Sequence, residues 1–295
     1  MSTALLCIEQ KQYLLPISTT VHAGYASYRV PIGLPILLEP DSPARFALLR
    51  AWLRWCDKSH GCNKYQGESE RVLPTRVLYV GDIKDSGYNP DYVRLVYPSE
   101  TSRQEYIALS HCWGNLLVEE KEVYCTTKDN IAKRQGGFSI SELPKTFQDA
   151  IKVTRELGVL YLWIDSLCII QYGDNFEDWK NESGRMESIF SQAYCTIAAT
   201  AAADSKVGFL ERDIGTEYVY VQDASGKHFY ISNDIDDFDN DVDNSKFNTR
   251  AWILQESVLA RRTIHFSANQ TYWQCGEGIY CENFTRLRRY ELYNI

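Results

Sequence analysis

The chain has 295 residues, of which 44% are hydrophobic and 13% aromatic, enough for one large packed domain or two small ones. Its formal net charge of −8 argues against an electrostatic nucleic-acid binder, which needs a basic face, so no nucleic-acid partner is expected. It has no signal-peptide pattern and no run of about 18 apolar residues, and its nine cysteines are scattered, which predicts a cytoplasmic protein with free thiols and no membrane span.

The first 100 residues predict additions to a core rather than the core itself. Residues 1–40 are rich in Pro and β-branched residues, which favours extended, irregular structure. Ser42 can cap a helix, and Pro43 suits its first turn. The apolar face of this helix would consist of Phe46, Leu49, Leu53 and Cys56. Two strands are predicted after it, at 77–80 and 93–97.

Residues 101–210 alternate between strand and helix patterns. Strands are predicted at 106–110, 159–164 and 195–199, and helices at 143–158 and 179–193. The second of these strands is nearly all apolar, as expected when both faces of a parallel sheet are covered. The apolar stripe of the second helix would consist of Trp179, Met186, Ile189, Phe190 and Ala193. The alternation predicts an α/β fold with a parallel sheet core and helices on both faces.

Residues 211–295 predict a β-rich C-terminal part. Two hairpins are expected, one between 218–222 and 228–232 and the other between 263–267 and 271–275. Between them, the acidic segment at 233–245 contains six Asp residues but lacks the glycine and the terminal glutamate of an EF-hand loop, so a solvated loop is predicted.

No metal site is assigned from the sequence. Cys56, His60 and Cys62 carry donor atoms that zinc prefers, but the spacing shows no clear fourth ligand. Cys7 or His22 would complete the set only if the fold brought one of them close.

Asp165 directly follows the apolar strand at 159–164. In open α/β sheets, ligands bind beyond the carboxyl ends of the strands, so a carboxylate at this position is a candidate functional group. The alternative is structural, with Asp165 capping the following turn or pairing with an arginine such as Arg250. The sequence leaves both interpretations open.

Ser110 is the last residue of the strand at 106–110, and His111 and Trp113 follow it. If this strand and the one before Asp165 are parallel neighbours, all four side chains lie at the same edge of the sheet. A Ser/His/Asp triad is not favoured, because adjacent residues of an extended segment point to opposite faces and no G-x-S-x-G elbow is present.

Glu182 lies on the buried stripe of the predicted helix, three residues after Trp179 and four before Met186. An unpaired carboxylate on such a stripe is costly, and it is tolerated when it faces a cleft or has a partner. The structural alternative is a carboxylate near the helix start that the helix dipole favours.

Arg250 and Trp252 are two residues apart, so in a strand they would share a face. They either contact a nucleotide or tie the β-rich part to the core, and the structural role is favoured.

Three segments, in this order, resemble the fungal heterokaryon-incompatibility (HET) domain. They are YIALSHCWG at 106–114, LYLWIDSLCIIQ at 160–171 with DWKNESGRM at 178–186, and NTRAWILQE at 248–256. In the family, the position of His111 is more often aromatic. The resemblance implies a single HET domain over 1–295, a fungal source, and a role in non-self recognition that ends in cell death.

HET domains are remotely similar to TIR domains, which are flavodoxin-like and some of which cleave NAD with a helix glutamate in a W-x-x-E pattern. The segment from Trp179 to Glu182 matches that pattern. The resemblance thus implies an NAD nucleosidase that is active when self-associated, with Glu182 and Asp165 as catalytic residues. Its substrate would be held by Ser110, Trp113, Trp179 and Arg250. NAD would be a substrate, and no cofactor is expected. The alternative is a non-enzymatic module that triggers cell death through homotypic or partner-protein assembly.

Overall fold

The structure, a computed structural model, describes most of the chain between residue 42 and residue 283. The described residues are 4–8, 32–33, 42–62, 74–82, 84, 86–98, 104–212, 218–222, 228–233, 237–245, 247, 256, 258–283 and 286–287. For 4–8, 32–33, 218–222, 228–233 and 286, only the backbone is described. Three residues named above, His22, Arg250 and Trp252, lie outside the described residues. The side chain of Cys7 is also outside the description.

The described helices and strands alternate through the middle of the chain. The helices are α1 (Pro43–Ser59), α2 (Val118–Tyr124), α3 (Ile131–Gly136), α4 (Lys145–Glu156), α5 (Asp165–Cys168), α6 (Glu177–Ser183) and α7 (Met186–Gln192). The strands are β1 (Ala4–Ile8), β2 (Ile32–Gly33), β3 (Val77–Tyr79), β4 (Tyr92–Val96), β5 (Tyr106–Ser110), β6 (Thr126–Thr127), β7 (Phe138–Ser139), β8 (Tyr161–Trp163), β9 (Ile170–Tyr172), β10 (Cys195–Ala198), β11 (Tyr218–Gln222), β12 (His228–Asn233), β13 (Arg262–Phe266), β14 (Thr271–Cys275), β15 (Gly278–Cys281) and β16 (Arg286–Leu287). Among the described residues, no helix is both long and apolar enough to cross a lipid bilayer.

Helix α1 begins where the sequence predicts. The Ser42 hydroxyl accepts a hydrogen bond from the Ala44 N–H at 3.3 Å, and Pro43 is the first helical residue. The predicted apolar face is buried: Phe46, Leu49, Leu53 and Cys56. These residues pack in one cluster with Ile107 and Leu162 of the sheet, so α1 is part of the main core.

The main sheet is mixed rather than parallel. Its ten strands lie in the order β16-β15-β14-β13-β10-β5-β8-β3-β4-β7. The neighbours β13, β10, β5 and β8 are parallel, and the pairs on both sides of these four are antiparallel. Numbered along the chain, the parallel strands follow the spatial order 2-1-3-4. The predicted parallel sheet is therefore correct only for the centre, because β3, β4 and β7 extend one edge of it and β14, β15 and β16 extend the other.

Helices cover both faces of the main sheet, as predicted. Alternate residues of β5 enter different clusters, as expected for a strand with both faces buried. Ile107 and Leu109 pack with residues of α1 and α4. Tyr106 and Ala108 pack with Ile189 and Phe190 of α7.

The single helix predicted at 179–193 is wrong. The segment forms two short helices, α6 and α7, which are separated by Gly184 and Arg185. Trp179 is 40% exposed, so it is not part of a buried stripe, whereas Glu182 is buried at 4% exposure. Because the break at Gly184 and Arg185 falls between α6 and α7, the buried positions of the two helices do not follow one continuous helical period.

Both predicted C-terminal hairpins form, β11 with β12 and β13 with β14.

The acidic segment between them is not a simple solvated loop. Asp239–Asp243 form a π-helical turn, and Phe238 and Val242 are buried. The Asp241 carboxylate accepts a hydrogen bond from the Tyr272 hydroxyl at 2.7 Å, which fastens this segment to β14.

Candidate functional site

The carboxyl ends of the parallel strands gather several of the predicted polar side chains at one edge of the main sheet. Ser110 is the last residue of β5, and Asp165 lies two residues beyond the end of β8. Strand β3 is antiparallel to β8, so Thr75 and Arg76, which precede β3, lie at this same edge. Glu182 joins the edge through its hydrogen bond from Thr75.

Asp165 is held by a tryptophan and by the start of its own helix. Its Oδ2 accepts a hydrogen bond from the Trp113 indole N–H at 2.8 Å, and its Oδ1 accepts one from the Ser166 N–H at 2.7 Å. The His111 Nδ1 lies 3.9 Å from Oδ1, and the carboxylate side chain keeps 24% exposure. Asp165 therefore has a structural role at the first turn of α5 and remains accessible to a small ligand.

Ser110 and His111 have different partners, as their opposite directions on the strand predict. The Ser110 hydroxyl donates its one proton to Glu256 Oε2, so that proton is not directed at His111. The buried His111 ring packs edge-on against Phe147, with 4.9 Å between ring centroids. Glu256, the last residue of the NTRAWILQE segment, is a site residue that the sequence analysis missed.

Glu182 is buried and already paired. Its Oε1 accepts a hydrogen bond from the Thr75 hydroxyl at 2.5 Å and lies 3.3 Å from Arg185 Nη1. Arg185 also donates to Thr75. The cation and the hydroxyl together supply the partners that a buried carboxylate needs. The Arg185 side chain is 33% exposed, so this partner lies on the solvent side of Glu182.

A second ion pair at this edge was not predicted. Arg76 is buried, donates its Nε–H to the Cys168 carbonyl at 2.7 Å, and pairs through Nη2 with Asp178. Asp178 also accepts the Ile170 N–H at 2.8 Å. Burial by itself would lower the pKa of Arg76, but the hydrogen bonds and charges of Asp178 and Tyr97 together outweigh it, and the pKa is raised. The pair joins the start of β3 to α5 and α6. Asp178 lies in the DWKNESGRM segment that resembles the HET domain, whereas Arg76 lies outside the three segments.

Trp113 and Trp179 differ in their surroundings. Trp113 is partly buried at the edge, in contact with Asp165, whereas Trp179 is on the outer side of α6. The structure thus brings Ser110, Trp113 and Asp165 to the edge that also holds Glu182, and it leaves Trp179 at the surface.

An open groove of about 1000 Å³ is lined by residues such as Gly81, Arg155 and Leu160, at the amino end of β8. It lies at the opposite edge of the sheet and does not include these side chains.

A separate cluster brings together four potential metal ligands: Cys56, His60, Cys62 and Cys275, with donor atoms within 4.8 Å of one another. The three donors seen in the sequence are thus joined by a fourth, Cys275, at the end of a predicted hairpin strand. A hydrogen bond from Cys56 lowers the pKa of the Cys275 thiol to about 5, and His60 contributes in the same direction. The eight described cysteines form no disulfide with one another.

Comparison with known proteins identifies the family. The family model described as Heterokaryon incompatibility protein (HET) matches residues 106–256. This range begins at the first residue of β5 and ends at Glu256, so it spans the edge with Ser110, Asp165 and Glu182. No curated relative and no solved structure matched the chain. The family match covers half of the sequence and follows the three segments in order, and the chain belongs to the heterokaryon incompatibility (HET) family.

Proposed function

We propose that this chain is a cell-death effector of fungal non-self recognition, and that it acts by cleaving NAD when it self-associates. The HET family match supports the role in heterokaryon incompatibility. The observation that carries the chemical part is the buried Glu182, which lies at the same sheet edge as Asp165 and Ser110. The strand order 2-1-3-4 also favours a flavodoxin-like core, in which ligands bind at the edge between the first and third strands.

The proposed reaction is hydrolysis of the nicotinamide–ribose bond. The C1′–N bond breaks and its electron pair leaves with nicotinamide, while the Glu182 carboxylate stabilises the positive charge that develops on the ribose. Water then adds to C1′ and releases a proton. Asp165 and Ser110 would bind ribose hydroxyls, together with Arg250, and Trp113, which contacts Asp165, would stack on a ring of the substrate.

The pairing of Glu182 suggests how self-association would switch on this activity. In the described structure, Arg185 Nη1 lies 3.3 Å from Glu182 Oε1, on the solvent side of the carboxylate. Arg185 therefore competes with a ribose for Glu182 Oε1. Arg185 is one-third exposed, so a contact with a second copy of the chain can draw it away from Glu182. The unassembled chain would then be inactive.

The test is NAD consumption by the full chain at low and at crowded concentration. We expect NAD loss that is stronger when crowded, and the Glu182→Gln variant should abolish it. Glu187→Gln is the matched control, because Glu187 is an exposed glutamate in α7, just beyond the same turn. Full NAD turnover by Glu182→Gln, with Glu187→Gln also active, would disprove the catalytic assignment.

A second candidate function is a non-enzymatic module that kills by assembly. The pairing of Glu182 with Thr75 and Arg185 is what a structural carboxylate requires. In addition, Phe176 and Trp179 expose 55% and 40% of their surface at the start of α6, where a partner chain could bury them. If this function is correct, Phe176→Ser with Trp179→Ser should abolish toxicity and self-association, whereas Glu182→Gln should preserve both.

A further inference from the structure

The four-donor cluster joins two parts of the chain that are far apart in sequence. Cys56 lies in the last turn of α1, His60 is the extended residue that follows it, and Cys62 comes two residues later. Cys275 is the last residue of β14, 215 residues after His60. No short motif therefore contains all four donors, and only the packing of α1 beside the β14–β15 hairpin brings them together.

The distances within the cluster suit tetrahedral zinc. The Cys275 Sγ lies 3.4 Å from the His60 Nδ1, and the four donor atoms are within 4.8 Å of one another. Zinc binds sulfur at about 2.3 Å and histidine nitrogen at about 2.0–2.1 Å, so a tetrahedral site separates sulfur from nitrogen by about 3.6 Å and two sulfurs by about 3.8 Å. Only small side-chain movements are needed to form such a site.

The surroundings are those of a closed structural site. Cys56 is fully buried in the main core, and the Trp55 ring packs edge-on against His60 at 4.3 Å between centroids. The backbone N–H of Glu277 hydrogen-bonds the Cys275 sulfur. The turn passes so close that a Cβ on Gly276 would lie 3.3 Å from the Cys62 Sγ. A side chain at Gly276 would therefore press on Cys62.

The number of donors separates this cluster from two simpler arrangements. A disulfide would use two of the three thiols and leave the third thiol and the imidazole without a function. A catalytic zinc site commonly has three protein ligands and keeps one position open for water. Three cysteines and one histidine instead form a complete ligand set, which is typical of structural zinc.

We propose that Cys56, His60, Cys62 and Cys275 bind one zinc ion that fastens the end of α1 to the β14–β15 turn. The site is independent of the proposed NAD chemistry, because none of its ligands lies at the edge with Glu182. Zinc would join the N-terminal helix to the C-terminal strands that extend the main sheet, on both sides of the family-matched segment.

The test is the metal content of the full chain, purified without chelator and measured by inductively coupled plasma mass spectrometry. We expect about one zinc per chain, and about one cobalt after exchange, with the visible absorption of tetrahedral cobalt bound by thiolates. The Cys62→Ser and His60→Ala variants change partly exposed residues and should fold, yet lose at least tenfold in metal affinity. Cys112→Ser, which removes a thiol outside the cluster, should keep the metal. Absence of bound zinc from the folded wild-type chain after incubation with zinc, or binding that Cys62→Ser leaves unchanged, would overturn the proposal.

Discussion

Replacing Arg76 with methionine should strongly destabilise the protein, because Arg76 supports the edge that holds Glu182 and Asp165. Methionine keeps the apolar stem and removes the guanidinium group. The buried Cys168 carbonyl then loses its 2.7 Å hydrogen bond, and a buried carbonyl without a partner costs about 1–3 kcal/mol. Asp178 loses its cation as well, although it keeps the Ile170 N–H and its side chain is 19% exposed, so water recovers part of that loss. We expect the free energy of unfolding to fall by about 3 kcal/mol in total.

The assay is urea unfolding of the wild-type and variant chains, compared at their midpoints with a shared slope. Arg94→Met is the matched control, because Arg94 is an exposed arginine on β4 that lies over the Tyr79 ring, and its loss should cost less than about 1 kcal/mol. Combining Arg76→Met with Asp178→Asn should reveal a coupling energy above about 1.5 kcal/mol. The reasoning fails if Arg76→Met costs no more than Arg94→Met.

Two further predictions concern stability. Glu282→Gln should lower the free energy of unfolding by about 3 kcal/mol, because the buried Glu282 pairs with Arg212 through two 2.9 Å contacts and also accepts the Thr271 N–H. The exposed Glu277→Gln is its control, and equal urea midpoints for the two variants would contradict this prediction. Stability should also fall as the pH rises from about 9 towards 12, because burial raises the pKa of three thiols to about 12: Cys125, Cys168 and Cys195. In that range the unfolded chain has lost these protons and the folded chain keeps them, so each thiol lowers the unfolding free energy by up to about 1.4 kcal/mol per pH unit. Urea midpoints measured at pH 8 and pH 10.5 test this, and Cys125→Ala should reduce the decline; an unchanged decline would refute the assignment to Cys125.

Local elements of this protein could be predicted from the sequence because their causes are local. The cap at Ser42, the proline that follows it and the apolar face of α1 lie within one short segment, and the structure contains that helix. Strand β5 likewise forms where its apolar run predicts, and the two hairpins have the predicted pairing, since short apolar runs and turn residues determine them over a few positions. The three segments with HET likeness were also sufficient to identify the family.

The site was predictable only in part. The sequence placed Ser110 and Asp165 at the carboxyl ends of two strands, and these strands, β5 and β8, are indeed parallel neighbours. It predicted one helix at 179–193, but Gly184 interrupts it and Trp179 is exposed, so the burial of Glu182 depends on Thr75 and Arg185 instead. Periodicity describes which face of a helix is apolar, and it does not identify the group that a buried carboxylate meets.

The sequence by itself determined the helices and strands whose signals span about ten residues, the central α/β alternation and the membership of the HET family. Only the tertiary structure decided that antiparallel strands from both terminal parts extend the parallel centre, that Arg76 pairs with Asp178, and that Cys275 joins Cys56, His60 and Cys62. These contacts join positions about 100 to 200 residues apart. Their formation depends on the packing free energy of the whole core, which a local sequence pattern does not contain.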